Sequence, residues 1–205
     1  MIIKNRDFEA HYTVEELVSP DVGADVFEYY PNKTPEIAEL VIESRGSETC
    51  FRIRPQASEK WIARCKDGPG GLDGVFSTPS PNVVCIVVKG QGYWIHVTRP
   101  DNFSVIRSLP IKNVIPVPSH NLLVFTDYVR VAAYAPDGCA WVTEDLSWDG
   151  IKVGSVENGV LQGEGWDSPA DRYVPFSVDI ASGKAIGGSS PEKHAALNFG
   201  STLPN

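Results

Sequence analysis

The chain lacks most of the patterns that assign a chemistry at sight. Its four cysteines, Cys50, Cys65, Cys85 and Cys139, form no Cys-x-x-Cys pair. His11, His96, His120 and His194 share no ligand spacing, with neither His-x-His nor His-Glu-x-x-His. No metal and no other cofactor is therefore expected. There is no Gly-x-Ser-x-Gly elbow, and Gly183-Lys184 lacks the hydroxyl residue and upstream glycine of a phosphate-binding loop. A Cys85–His96 nucleophile pair would need a cleft that the apolar context "VVCIVV" does not offer.

Clustered basic residues are missing too. Lys and Arg number 18 against 26 Asp and Glu, for a net charge of −8. A face that neutralises phosphates is thereby excluded, as is a basic membrane surface. No apolar run approaches the ~20 residues of a helical span. In "MIIKNRDFEAHY", charge returns at Lys4, Arg6 and Asp7 before a signal-peptide core can form. The expected location is the cytoplasm, with no nucleic-acid or membrane partner.

What remains is an ordinary globular composition, 42% hydrophobic and 21% charged over 205 residues, enough to bury a core. Glycine (18) and proline (16) supply the punctuation of many short strands rather than a few long helices. Residues 1–47 are the least legible and read as a small α+β subregion. There, "KTPEIAELVIES" reads as a short helix, with Thr34 as cap and Ile37, Leu40 and Val41 on one face. With period two it reads as a strand with Ala38, Leu40 and Ile42 on one face; the helix is favoured.

From Thr49 the pattern is β. "TCFRIRP" alternates, Phe51 and Ile53 against Arg52 and Arg54. "KDGPGGLDG" reads as an exposed loop. "NVVCIVVKG" is apolar on both faces, which predicts a buried central strand. Further strands are expected in "YWIHVT", "NLLVFTDY", "VRVAAYA", "AWVTEDL", "IKVGSV", "VLQGEGW" and "YVPFSVDI". The tail from 189 to 205 mixes flexible residues with Leu197 and Phe199 and is expected to be flexible.

An internal echo runs through this half. Three segments read strand, acidic turn, strand, with turn aspartates Asp101, Asp137 and Asp179 spaced 36 and 42 residues apart. A period near 40 built from short antiparallel strands is what propeller blades have. The turn "FSVDIASGKAIGG" resembles the strand, Asp, Ser-Gly-Lys turn of quinoprotein-type propellers, without their recurring blade-end tryptophan. About three such repeats leave open sheet edges, so self-association is expected. Residues 120–188, through "LSWDGIKV", "GEGWD" and "PFSVD", are broadly similar to the C-terminal half of an uncharacterised family of β-rich bacterial proteins. That resemblance implies a bacterial source and a β fold, and it leaves the function open.

"LSWDGIKVGSVENGVLQGEGWD" holds two Trp-Asp dipeptides only 18 residues apart, too close to be blade markers. Asn158-Gly159 and Asp149-Gly150 are hairpin-turn signals. Two tight turns make a meander of 140–148, 151–157 and 160–166, with Trp148, Ile151 and Trp166 in one row of a face and Leu146, Val153 and Glu164 in the next. On the other face Gly154, Gly163 and Gly165 leave room for a backbone or a small ligand. Asp149 and Asp167 share a rim, from which "SPADR" departs with Asp171 and Arg172. Asp-Gly and Asp-Ser-Pro are contexts that turns demand, with Asp167 or Ser168 capping a turn begun by Pro169. The same residues could serve as a paired-carboxylate site with tryptophan platforms.

The expected fold is therefore mainly β, with antiparallel sheets in a propeller-like or sandwich-like arrangement and one or two short helices near the N-terminus. It forms a single domain over 1–188. The expected role is a non-enzymatic protein-interaction module, binding through Trp148, Asp149, Trp166, Asp167, Asp171 and Arg172. The alternatives are a carbohydrate-active hydrolase and a binder of a small ligand. Because the cysteines sit on separate strands, a thiol titration of the denatured, unreduced protein should count four; two or none would contradict this reading.

Overall fold

The computed structural model describes residues 3–5, 7–18, 24–29 and 47–200. The segment "KTPEIAELVIES" (33–44), where a short helix is favoured, falls outside them. The described chain is mainly β, with four sheets and one α-helix. Sheet one runs β2-β4-β5-β3, from β2 (Tyr12–Leu17), β3 (Val26–Tyr29), β4 (Glu48–Pro55) and β5 (Trp61–Lys66). Sheet two joins β1 (Ile3–Asn5) to β6 (Gly74–Ser77), β7 (Val83–Val88), β8 (Gln91–His96) and β9 (Phe103–Val105). Sheet three is β10 (Asn113–Val117), β11 (Leu122–Thr126), β12 (Val131–Ala135) and β13 (Gly138–Val142). Sheet four is β14 (Ile151–Glu157), β15 (Val160–Asp167), β16 (Arg172–Asp179) and β17 (Ala185–Gly187). Pairing is antiparallel except at β1–β6 and β3–β5.

The echo marks the last two strands of sheets two, three and four, so the acidic turns recur at one place in each meander. Three repeats become four sheets because the N-terminal residues build one of their own.

Side-chain alternation sets the stacking order. Phe51, Ile53, Trp61 and Ala63 of sheet one meet Val84, Ile86, Val88, Tyr93 and Ile95 of sheet two. The other face of sheet two, with Phe76, Cys85, Val87 and Trp94, meets Leu123, Phe125, Ala132 and Tyr134 of sheet three. The other face of sheet three, with Leu122, Val124, Val131 and Ala133, meets Leu161, Phe176 and Val178 of sheet four. So β7 and β11 are buried throughout, and "NVVCIVV" is a central strand as expected. Each such side chain contributes about 1.5–3 kcal/mol on burial. The buried tyrosines reach partners: Tyr12 donates to Val83 O (3.0 Å) and Tyr93 to Lys66 O (2.7 Å).

The two end sheets are apolar on one face only. On sheet one the outward face carries ion pairs, Glu15 with Arg52 (2.5 Å) and Arg54 (3.1 Å), and Glu28 with Arg64 (2.7 Å). On sheet four it carries Lys152, Glu164, Trp166, Tyr173, Pro175 and Ile186, because those positions alternate with the core-facing ones.

Several expectations need correcting. Between Lys66 of β5 and Gly74 of β6, "KDGPGGLDG" has no regular structure, yet it is not an exposed loop throughout. Gly68 N–H donates to Val88 O (3.0 Å) and Gly70 N–H to Lys89 O (2.9 Å), so it clasps the β7–β8 turn. Asp67, nearly buried, pairs with Lys89 (2.8 Å) and accepts from Thr49 (2.8 Å). Burial pushes this carboxyl up, but hydrogen bonds from Lys89, Ser47 and Thr49 outweigh it and hold it below the usual range. Within the tail from 189 lies an unexpected helix, α1 (Pro191–Gly200), with Ser190 accepting from Lys193 N–H (3.3 Å) and Pro191 opening the first turn. The α-helix found is thus C-terminal, and a 3-10 turn lies at Pro118–His120. All four cysteines are free, with Cys65 and Cys85 buried, Cys50 half-buried and Cys139 exposed.

The meander is corrected most. β14 and β15 are joined at Asn158-Gly159, with φ of 50° and 77°, so that turn is tight as expected. Residues 140–148, however, do not pair with β14: β13 ends at Val142 in sheet three, and 143–150 crosses between sheets. A bulge also places Gly154 and Ser155 opposite Gln162, so Ile151 pairs with Gly165 and not Trp166. Its cause is the apolar spacing. Ile151, Val153 and Val156 all pack on the third apolar layer, and a step of two followed by three requires one extra residue.

Replacing Gly159 with valine puts a β-branched residue at positive φ. Equilibrium denaturation should show a loss of about 1–3 kcal/mol; an unchanged midpoint would contradict the turn assignment.

Candidate functional site

The rim residues separate into two groups. Their backbones do meet: Trp148 N–H donates to Trp166 O (3.0 Å) and Trp166 N–H to Gly150 O (3.1 Å). Their rings engage different partners. The expected row Trp148–Ile151–Trp166 is not formed, and Leu146, Val153 and Glu164 do not share a row either. Leu146 is buried in the third layer, while Glu164 faces outward opposite Lys152.

The first group lies on the outward face of sheet four. Trp166 and Tyr173 are cross-strand partners with rings edge to face at 5.1 Å. Lys152 Nζ sits 3.4 Å from the Tyr173 ring centroid, a cation–π contact. Pro175 is exposed beside them, and Ile186, on edge strand β17, is 70% exposed. Asp171 and Arg172 are exposed at the adjoining turn, where Asp171 has φ 49°. Asp149 is exposed on the segment leading into β14.

The second group is a polar node under α1. Trp148 Nε1–H donates to Ser189 Oγ (3.1 Å), and the Trp148 ring meets His194 edge to face at 5.7 Å. His194 Nε2 lies 3.1 Å from Ser189 Oγ and 3.3 Å from Asp167 Oδ1. Asp167 is almost covered and also accepts Ala170 N–H (3.3 Å), so it caps its turn as expected. Next to His194, Lys193 Nζ reaches Glu144 (3.0 Å) and Gly187 O (2.6 Å). A groove of about 360 Å³ continues along the helix, where Arg130 pairs with Asp145 and Glu192 faces them.

Ser189, His194 and Asp167 have the composition of a hydrolytic triad but not its geometry. A relay sets the carboxylate on one imidazole nitrogen and the hydroxyl on the other. Here both lie against Nε2, and the hydroxyl also takes the indole proton. Nor do Asp149 and Asp167 form a matched pair, since one is exposed and the other is turn cap and histidine partner. Cys85 is buried and pairs with Trp94, while His96 pairs with Val83, and burial pushes the Cys85 thiol up. Among the described residues no group of three His, Cys, Asp or Glu side chains could hold a metal.

Of the expected glycine face, Gly154 is exposed at the bulge, while Gly163 and Gly165 are covered by the chain itself. A Cβ at Gly163 would strike the Phe176 ring, and one at Gly165 the carbonyl oxygen of Leu146. The expected close backbone is there at Gly165, and a side chain covers Gly163.

Sequence reading missed Tyr173, Lys152, Ser189, Lys193 and His194. The first was findable, because in "RYVPFSV" Tyr173 and Pro175 alternate with Val174 and Phe176. Ser190-Pro191-Glu192 is a helix-start pattern that would have placed Lys193 and His194 in a first turn. No family model and no curated protein matches the chain.

Asparagine at either acid keeps the turn chemistry. Asp149→Asn should leave stability unchanged, whereas Asp167→Asn gives up the His194 pair and should lose about 0.5–1 kcal/mol by denaturant unfolding. A loss above ~3 kcal/mol for either would mean a buried role that these contacts do not provide.

Proposed function

We propose that this protein is a polypeptide-binding module that uses the outward face of sheet four together with its acidic rim. The observation that carries the reading is the Trp166–Tyr173 edge pair, held on an outward sheet face beside exposed Pro175 and Ile186. Large aromatic side chains that keep one side apolar and one polar are what protein interfaces concentrate at their centres. Asp149, Asp171 and Arg172 supply the charged edge around them, as an interface rim does. The opposite end of the stack, with its lattice of ion pairs, has the composition of a solvated face.

The same reading takes the four sheets as propeller-like blades in a row rather than a two-sheet sandwich. Three successive apolar layers and the recurring acidic turns support it. An array with an end face has a place for a partner, whether another protein or a second copy.

A photo-crosslinking residue placed at Ile186 should give one discrete adduct in the source cells, abolished by Tyr173→Ala in the same chain. Placed at Arg54, on the outward face of sheet one, it should give none. An adduct at twice the chain mass identifies a second copy, and another mass a different protein. No adduct from Ile186, or equal adducts from both faces, would overturn the proposal.

A further inference from the structure

The node under α1 has the form of an occupied receptor. Two neighbouring residues of the helix, Lys193 and His194, each end on an acid of the sheet body. Lys193 lies on Glu144 (3.0 Å) and the Gly187 carbonyl (2.6 Å), and His194 on Asp167 (3.3 Å), with the Trp148 ring 5.7 Å away and the Ser189 hydroxyl at 3.1 Å. A carboxylate beside an aromatic ring is the pairing that selects a cationic side chain, through charge on one side and the ring quadrupole on the other. Here two acids take two consecutive basic or titratable residues, one each.

The described side chains of the helix, Pro191 to Ala195, are held by polar contacts. None of its described side chains, Pro191 to Ala195, belongs to any of the three apolar layers. Its attachments are hydrogen bonds to the buried Ser189 and Ser190 and one edge-on ring contact. To these add the His194–Asp167 contact, ionic when His194 is protonated, and the Lys193–Glu144 ion pair between partly exposed groups. Ion pairs in that setting hold little each. What lies beneath is more committed. Asp167 is 9% exposed with the helix in place, and Trp148 is fixed through its indole nitrogen to Ser189. Beyond Lys193 the groove adds Asp145 and Glu192 against a single further cation, Arg130, and the whole chain carries a net charge of −8. The surroundings favour a basic ligand.

We propose that Glu144, Trp148, Asp167 and Ser189 form a binding site for a pair of adjacent basic residues in another polypeptide, occupied in cis by Lys193 and His194. The proposal rests on the reading of this protein as a polypeptide-binding module and adds a second, masked site to it. A partner segment with Lys-Lys, Arg-Arg or Lys-His in sequence competes with α1 for the two acids and the indole. Arg gains most, since its planar guanidinium can both stack on Trp148 and meet Asp167. The strap lowers the apparent affinity by the fraction of time it is in place.

The test uses the full chain labelled with ¹⁵N, with the Trp148 indole signal assigned by its loss in Trp148→Phe. The probes are amidated peptides of the α1 sequence from Pro191 to Gly200, with Arg-Arg or Ala-Ala at the Lys-His pair. For the K193A/H194A chain, the Arg-Arg peptide should shift the Trp148 signal saturably, at least about tenfold more tightly than for the unaltered chain. The Ala-Ala peptide should not shift it, and adding E144Q and D167N should abolish the effect. No saturable shift, an equal response to the Ala-Ala peptide, or equal affinity with and without the strap's basic pair would overturn the proposal. So would an unfolded K193A/H194A chain, because a detachable strap cannot be required for folding. The W166A/Y173A chain should bind the peptide as the unaltered one does, so this site and the outward face of sheet four fail or stand separately.

Discussion

Two strands that are apolar on both faces, β7 and β11, govern the rest of the molecule. A strand with Val84, Ile86 and Val88 on one side and Val83, Cys85 and Val87 on the other needs a sheet against each face. The same holds for Leu123 and Phe125 against Leu122 and Val124. Two such sheets next to each other require two more outside them. Those outer sheets are the ones whose strands alternate, Phe51 and Ile53 with Arg52 and Arg54, and Phe176 and Val178 with Tyr173 and Pro175. The order one-faced, two-faced, two-faced, one-faced is therefore present in side-chain periodicity before any long-range contact is considered.

The two ends finish differently. Sheet one closes its outward face with arginine–glutamate pairs, which tolerate water and contribute little energy. Sheet four finishes with an aromatic pair and an exposed isoleucine, a surface that gains by being covered. The proposed binding face lies at that end of the stack for this reason, and α1 is fastened at the rim of the same end.

What could be read from the chain depended on how local its cause was. Turn chemistry at Asn158-Gly159 needs two residues, and it was legible. The strands from Thr49 onward needed five or six, and those named from the sequence are present, except that "AWVTEDL" is strand only as far as Val142. Sheet one was not legible as a unit, because β3 pairs with β5 in parallel and β2 with β4 across a long connection. The register of β14 failed for a subtler reason. The turn alone dictates Ile151 opposite Trp166, but the step from Val153 to Val156 overrides it with a bulge. That step is visible in the sequence, and burial of three apolar side chains outweighs a regular ladder. The node under α1 was out of reach, since it joins residues about 40 positions apart whose polarity gives no sign of a partner.

Asp149-Gly150 looks like a hairpin turn, and the glycines after it look like room for a ligand, for one shared reason. The segment 143–150 has to cross from sheet three to sheet four without exposing its backbone. Leu146 N–H goes to Val129 O and its carbonyl to Ser189 N–H, Gly150 N–H goes to Tyr128 O, and Ser147 Oγ meets both Gly150 O and Trp166 N–H. For the Leu146 carbonyl to lie against sheet four, the residues it passes must lack a Cβ, and they are Gly165 and Gly188. A substituted Gly165 would push the crossing strand away and with it Trp148, which fixes Ser189 and, through it, the start of α1. The glycine pattern that reads as an open binding face is thus what brings the indole, the buried carboxylate and the helix into one place. The empty positions of the sequence are filled by the backbone that builds the site.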